Sequence, residues 1–136
     1  MLCAFIAHSE LRRLLELAMT DIIQNGSLLT GTPDSDVIVI ADFPGATDVQ
    51  AGDGNDTVVG DDQANAISGG NGNDTLEGRG GSDILDGGTG GDTMIGGAGN
   101  DVYFVDNARG PGQPGDSVIE ALDGGTDEIR TTINWG

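Results

Sequence analysis

The sequence has few of the residues that build enzyme active sites, disulfide frameworks or nucleic-acid interfaces. Its 136 residues include one cysteine, one histidine and 5 basic residues. One cysteine excludes an internal disulfide framework. The single histidine, His8, is accompanied by no nucleophile–base set, so we expect no enzymatic activity. The chain also lacks the groups of thiolates and imidazoles that would indicate zinc.

Charge and composition narrow the choice of partners. A formal net charge of −18 argues against nucleic acid or an anionic membrane as the main partner. A hydrophobic content of 36% and an aromatic content of 4% are low for a globular core, and together with the charge they favour disorder. The length fits one domain. One open interpretation is therefore a Gly- and Asp-rich acidic chain that never folds. Another is a chain that is unfolded without its ligand and whose folding free energy comes from ligand binding.

A short repeat dominates the middle of the chain. Residues 69–104 are four consecutive nonapeptides in one register: GGNGNDTLE, GRGGSDILD, GGTGGDTMI and GGAGNDVYF. Each has Gly at position four, Asp at position six and an apolar residue at position eight. Six Gly-rich residues can turn tightly, and the next three suit a short strand with one side chain facing inward. Two units therefore form one flattened coil, and their repetition predicts a solenoid.

The repeated aspartates predict a cation site between coils. Units two apart stack on the same edge, which places Asp56, Asp74 and Asp92 on one edge and Asp83 and Asp101 on the other. Carboxylates about 4.8 Å apart, the strand spacing, repel by about 3–4 kcal/mol at an effective dielectric near 20. Calcium fits this column because it takes six to eight oxygen ligands in flexible geometry, whereas magnesium demands a stricter octahedron.

Less regular copies precede the four nonapeptides. Residues 31–39 are degenerate but keep Asp36, and residues 42–50 have Thr47 at position six. Residues 51–59 match well, while residues 60–68 have Asn65 in place of the acid. Position eight is apolar throughout and is predicted to form the core: Ile38, Val49, Val58, Ile67, Leu76, Leu85, Met94 and Tyr103.

These repeats resemble the RTX, or haemolysin-type, calcium-binding region over roughly residues 31–136. The resemblance implies an all-β fold, a right-handed parallel β-roll (a β-helix or solenoid). It also implies folding on Ca²⁺ outside the cell, and type I secretion through an uncleaved C-terminal signal. We therefore expect a secreted, extracellular calcium-binding module of 31–104, with several ions, about four.

The resemblance also implies a ligand set for each ion. The ion takes carbonyls of positions two and four plus the Asp of one loop, and carbonyls of positions one and three plus the Asp of the loop two units on. The first site joins Gly52, Gly54 and Asp56 to Gly69, Asn71 and Asp74; the second joins Gly70, Gly72 and Asp74 to Gly87, Thr89 and Asp92; the third joins Arg79, Gly81 and Asp83 to Gly96, Ala98 and Asp101.

Two further sites depend on imperfect repeats. A fourth would join Asp61, Gln63 and Asn65 to Gly78, Gly80 and Asp83, with an amide in place of one carboxylate. A fifth, between Asp36 and Asp56, depends on how two extra residues, Ile40 and Ala41, are absorbed.

The flanks differ from the repeats. Residues 1–30 are expected to be an N-terminal helical cap or linker, with Ser9 as N-cap and Asn25-Gly26 as the helix stop. We predict neither a Sec signal peptide nor a membrane span there. Residues 105–136 are expected to be C-terminal flanking strands, near 116–120 and 124–130, that end mid-pattern as in a fragment or a short family member.

Three functional hypotheses follow. The first is a calcium-responsive folding module that supports secretion and stability of an exported protein, with a type I secretion apparatus as its expected partner. The second is a non-catalytic C-terminal domain of a secreted hydrolase or protease, whose catalysis would lie in another domain. The third is a calcium-dependent adhesin or surface-layer module. Sequence alone does not choose between the first and third, nor does it give an oligomeric state.

Overall fold

The computed structural model describes residues 22–106, 115–121 and 124–131. They form two parallel sheets that face each other across one apolar core. The strands are β1 (Ile23–Asn25), β2 (Leu28–Thr30), β3 (Val37–Val39), β4 (Asp48–Asp53), β5 (Thr57–Val59), β6 (Ala66–Gly72), β7 (Thr75–Gly80), β8 (Ile84–Gly90), β9 (Thr93–Ala98), β10 (Val102–Val105), β11 (Ser117–Ile119) and β12 (Glu128–Thr131).

The strand order is that of a stacked coil. One sheet has the order β1-β2-β4-β6-β8-β10-β12, and the other has the order β11-β9-β7-β5-β3. Every neighbouring pair in the roll is parallel, and only the β1–β2 hairpin is antiparallel. Successive strands alternate between the sheets because each nonapeptide supplies one turn and one strand. The predicted all-β parallel β-roll is confirmed.

Most strands of the roll place one side chain in the core, whereas β4 and β10 each place two, Val49 with Ala51 and Tyr103 with Val105. The eight predicted core residues, from Ile38 to Tyr103, are all at most 2% exposed. The column also continues beyond the repeats: Leu29 pairs with Val49 at one end, and Val118 stacks on Met94 near the other. Because most strands contribute only one inward side chain, the core is narrow. The backbone ladders and the edges must therefore hold much of the coil together.

Two extra residues are absorbed without loss of register. Ile40–Asp42 form a short 3-10 helix, and the side chain of Ile40 is buried in the core. The hydrogen-bonded Asp36–Asp56 pair is consequently 20 residues apart in sequence, instead of the 18 that separate stacked repeats. The strands on either side still pair in order, with Ile38 against Val58.

The two flanks add strands to the roll. Of the pair Asn25-Gly26, predicted as a helix stop, Asn25 ends β1 and Gly26 begins the turn of the β1–β2 hairpin, with a φ of +69°. The helical interpretation therefore does not extend to residues 23–30, since β2 is already a strand of the roll. The predicted helix from Ser9 lies outside the described residues. Among the described residues, no helix is long and apolar enough to cross a membrane.

Candidate metal centres

A chain of hydrogen bonds runs along each edge of the roll. At four position-six residues, the N–H donates to Oδ1 of the aspartate one coil further on, at 2.8 Å: Asp56, Asn65, Asp74 and Asp83. Asp56, Asp74 and Asp92 form one column, whereas Asn65, Asp83 and Asp101 form the other. The five aspartates are each 1% exposed. The two edges therefore bury carboxylates in rows along the stacking direction.

The second oxygen of each buried carboxylate has no donor. Oδ2 of Asp56, Asp74, Asp83, Asp92 and Asp101 is buried and makes no hydrogen bond within the described part of the chain. A buried ionised oxygen without a partner is strongly unfavourable, and a cation is one of the few groups that can satisfy it. Five such atoms in two rows fit a metal-binding role on physical grounds.

Position-one glycines leave room beside these oxygens. A Cβ placed on Gly69 would overlap Oδ2 of Asp74 and lie 2.7 Å from the carbonyl oxygen of Gly87. A Cβ placed on Gly78 would likewise overlap Oδ2 of Asp83 and lie 2.8 Å from the carbonyl oxygen of Gly96. A carboxylate oxygen and a carbonyl oxygen from the next coil thus converge where a side chain is missing.

Carbonyls at positions two and four face the next coil. The oxygens of Gly52 and Gly54 lie against Gly70 and Gly72, where any Cβ would overlap them. The carbonyl of Arg79 faces Gly97 in the same way. Arg79 has a φ of +75°, in the left-handed region where Gly is the usual residue. Its backbone therefore follows the glycine conformation of its repeat position.

Position-three carbonyls are engaged in the ladder. The N–H of Gly54 donates to the carbonyl of Asn71, and that of Gly81 to the carbonyl of Ala98, both at 2.9 Å. A carbonyl oxygen has two lone pairs, so one hydrogen bond leaves capacity for a cation. Thr89 lies beside Asn71 in the same ladder, and its hydroxyl donates to Oδ1 of Asn71 at 2.7 Å.

Burial changes the titration of the edge carboxylates. Burial raises the pKa of Asp83 and of Asp92 to about 6, and the charges of neighbouring aspartates act in the same direction. The pKa of Asp56 and of Asp74 is raised by burial as well. Hydrogen bonds from backbone N–H groups oppose this shift without cancelling it. Without a counter-ion, the folded roll therefore disfavours the ionised form of these groups.

The two imperfect positions satisfy their oxygens internally. Asn65 Oδ1 accepts from the N–H of Asp61 at 3.0 Å, and its Nδ2 donates to the carboxylate of Asp61 at 3.2 Å. Asp36 Oδ2 accepts from the N–H of Thr32 at 2.6 Å and from its hydroxyl at 3.0 Å. Neither side chain presents the bare oxygen found on the five buried aspartates.

Both acidic columns continue into the segments after the repeats, which the sequence interpretation did not anticipate. The N–H of Asp92 donates to Oδ1 of Asp116 at 3.0 Å, and the N–H of Asp101 donates to Oδ1 of Asp127 at 2.9 Å. A signal was present in the sequence, because Asp116-x-Val118 and Asp127-x-Ile129 keep the spacing of positions six and eight. Loops of different length before them conceal that spacing.

Comparison with protein families agrees with this geometry. The RTX calcium-binding nonapeptide repeat matches the chain in four copies, over residues 43–76, 50–85 and 77–107. The chain carries RTX calcium-binding nonapeptide repeats. No curated protein and no solved structure matched the chain significantly. The RTX repeats thus build a calcium-binding module whose oxygen-only edges suit that ion.

Proposed function

We propose that calcium bound between successive coils drives this RTX module to fold after export, and that the module supports secretion and stability of an exported protein. The observation that carries the proposal is the set of five buried Oδ2 atoms without donors. Their desolvation opposes folding until a cation binds. Calcium binding then contributes directly to the free energy of folding.

The ions would lie between loops on the same edge. Three sites have a bare Oδ2 on both of their aspartates, in the pairs Asp56–Asp74, Asp74–Asp92 and Asp83–Asp101. Their remaining proposed ligands are backbone carbonyls of the two loops: Gly52, Gly54, Gly69 and Asn71; Gly70, Gly72, Gly87 and Thr89; Arg79, Gly81, Gly96 and Ala98. Carbonyl and carboxylate oxygens together suit the six to eight ligands that calcium takes.

The fourth and fifth sites are weaker. Asp83 contributes a bare oxygen to the fourth, but Asn65 offers an amide oxygen already bonded to Asp61. Asp56 contributes a bare oxygen to the fifth, where Asp36 is engaged by Thr32. The stacking itself is intact at the fifth site, because the N–H of Asp36 reaches Oδ1 of Asp56 at 2.8 Å. We expect these two sites to fill last.

The high negative charge of the chain explains how calcium would couple its folding to secretion. With 23 acidic and 5 basic residues, the metal-free chain repels itself and has little core to offset that repulsion. Low calcium inside a cell would keep the chain unfolded and able to pass a type I secretion apparatus. Millimolar calcium outside the cell lies in the range in which extracellular calcium modules bind their ion, so folding would follow export.

The test is a far-UV circular dichroism titration with calcium, with magnesium as the control. We expect a cooperative gain of β signal with calcium and little change with magnesium. A full β spectrum in chelator would overturn the proposal, because the core and ladders alone would then fold the chain.

A second candidate, calcium-dependent self-association, draws on exposed apolar side chains. Val37 is 74% exposed, Ile129 57% and Ile84 46%. Light scattering during the same titration would reveal particles that grow with calcium, as an adhesin or surface-layer module requires. A monomer at every calcium concentration would exclude that function. The expectation that the chain has no enzymatic activity stays a prediction, and hydrolytic turnover by the chain would contradict it.

A further inference from the structure

Three carboxylates from three separate segments meet at the C-terminal end of one edge. Asp101 belongs to the last nonapeptide, Glu120 follows β11, and Asp127 precedes β12. One oxygen from each lies within 4.8 Å of the others. We propose that these side chains bind a calcium ion that fastens the non-repeat segments 115–121 and 124–131 to the end of the roll. The proposal rests on the proposed function only for the identity of the ion.

An unpartnered buried oxygen distinguishes this cluster from an ordinary acidic surface. Asp101 is 1% exposed, and its Oδ2 has no donor among the described residues. Its other oxygen accepts from the N–H of Asp83, so the carboxylate is held in place by the repeat before it. Asp127 is held similarly, because its Oδ1 accepts from the N–H of Asp101 at 2.9 Å.

Side chains here take the place of backbone ligands. Beside Gly69 and Gly78, at the inner coils, the space is shared by an aspartate Oδ2 and a carbonyl of the next coil. At Gly96, the last such glycine, the closest atoms are the hydroxyl of Tyr103 and Oδ2 of Asp101. The Tyr103 hydroxyl donates to Oε1 of Glu120. Glu120 is therefore positioned by the core tyrosine at the point where the carbonyl pattern ends.

Backbone carbonyls complete an oxygen-only ligand set. The carbonyl oxygens of Gly97 and Gly99 face Gly124 and Gly125, and a Cβ on Gly124 would lie 2.6 Å from the oxygen of Gly97. This repeats the arrangement of positions two and four in the inner coils. A hard divalent cation with flexible geometry fits such a set.

Nearby positive charge is engaged elsewhere. Arg130 is the basic residue of the last strand, and its Nε is 2.9 Å from Oε1 of Glu128. The other basic residue that the structure describes, Arg79, pairs with Glu77 at 3.4 Å. The three carboxylates are thus left without a basic partner in the described part of the chain. A bound cation would neutralise them and connect both C-terminal strands to the last repeat.

Calcium stoichiometry in the full chain tests this site. Native mass spectrometry or calorimetry with calcium alone would compare the wild type with Glu120→Gln, Asp127→Asn and the double variant. Each single variant should bind one ion fewer than the wild type, and the double variant should also lose one ion, because both side chains serve the same site. Glu77→Gln, a substitution of the same kind at a residue two strands from β11 that pairs with Arg79, should keep the full count.

A spectroscopic readout locates the lost ion. Tyr103 is the one tyrosine of the chain. In the wild type, the ion that binds at this cluster should perturb the near-ultraviolet tyrosine absorbance, and Glu120→Gln should remove that step while the calcium-induced β signal persists. An unchanged ion count and an unchanged tyrosine step in both single variants would overturn the site. A wild type that binds no calcium would instead overturn the proposed function itself.

Discussion

The N–H of Asp74 donates a 2.8 Å hydrogen bond to Oδ1 of Asp92, one coil further along the same edge. The same bond recurs from Asp56 to Asp74, so Asp74 accepts on one side and its backbone donates on the other. Each aspartate is thereby fixed through one carboxylate oxygen while the other stays bare. The hydrogen-bond column orients the carboxylates, and in our proposal calcium satisfies the oxygens that the column leaves without a donor.

Asp74 is the first residue to change, because it belongs to two proposed sites. Asp74→Asn should raise the calcium concentration at half-folding at least about tenfold, since a lost charge-assisted contact costs about 1.5–3 kcal/mol and 1.4 kcal/mol is tenfold. Circular dichroism titration measures this midpoint. Asp62→Asn makes the same chemical change at an exposed side chain and should leave the midpoint unchanged. Equal midpoints for both variants would contradict the role of Asp74.

A second prediction concerns the space beside Oδ2. Gly69→Ala would place a methyl group against Oδ2 of Asp74 and 2.7 Å from the oxygen of Gly87, so we expect weaker calcium binding and a loss of cooperativity. Gly80→Ala is the matched control, because its Cβ would meet nothing closer than 3.5 Å and the substitution keeps the backbone carbonyl proposed for the weak fourth site. Neither glycine has a positive φ, so backbone strain does not confuse the comparison. If both variants titrate alike, the space at Gly69 is not part of a site.

The sequence predicted the inner coils because their repeat is strict. Position eight gave the core column from Ile38 to Tyr103, and position six gave the two carboxylate rows, since an 18-residue coil places equivalent residues on one edge. The β1–β2 hairpin could not be predicted in the same way. Its residues lack the nonapeptide repeat, and only pairing with β4 makes Leu28–Thr30 a strand of the roll.

The residues that stack on the C-terminal end of the roll were harder to predict, because the loops before them differ in length from the repeat. Asp116 and Asp127 stack on residues 24 and 26 positions earlier, so no fixed period connects them to the repeats. The contact between Tyr103 and Glu120 arises because β11 extends one sheet while the next loop returns to the other. The compensation at Asn65, whose amide bonds to Asp61, likewise depends on local side-chain geometry. Such pairings carry no repeated sequence signal.

Acid should partly replace calcium, which gives a third prediction. The pKa of Asp83 and Asp92 rises from 3.8 to about 6 in the folded roll. Below pH 3.8 these carboxyl groups are protonated in both the folded and the unfolded state, so their burial carries no ionic penalty. As pH rises from there through about 6, the unfolded chain ionises more readily than the folded roll, so the folded state loses stability. In chelator, β signal should therefore be greater near about pH 5 than near about pH 7.5.

Calcium should reverse that pH dependence. Its ligands must be ionised, so the calcium-bound roll should be more stable near about pH 7.5 than near about pH 5. Thermal melts at the two pH values, with calcium and with chelator, measure both trends. Opposite slopes are expected, with light scattering to exclude aggregation near the sequence pI of about 4.1. Parallel slopes in calcium and chelator would show that these carboxylates do not hold the ion.

Asn65→Asp should complete the fourth site, which is the last prediction. Asn65 precedes Asp83 in the same column, and its N–H donates to Oδ1 of Asp83. The other carboxylate oxygen of Asp83, Oδ2, has no donor among the described residues. An aspartate at 65 would lose the amide donor to Asp61 and add a second negative charge there, so the metal-free chain should be less folded than the wild type. With calcium, the variant should bind one more ion and fold more cooperatively. Calorimetry gives the ion count, and a variant that is destabilised in chelator yet gains no ion would show that the loop at 60–65 lacks the geometry of a site.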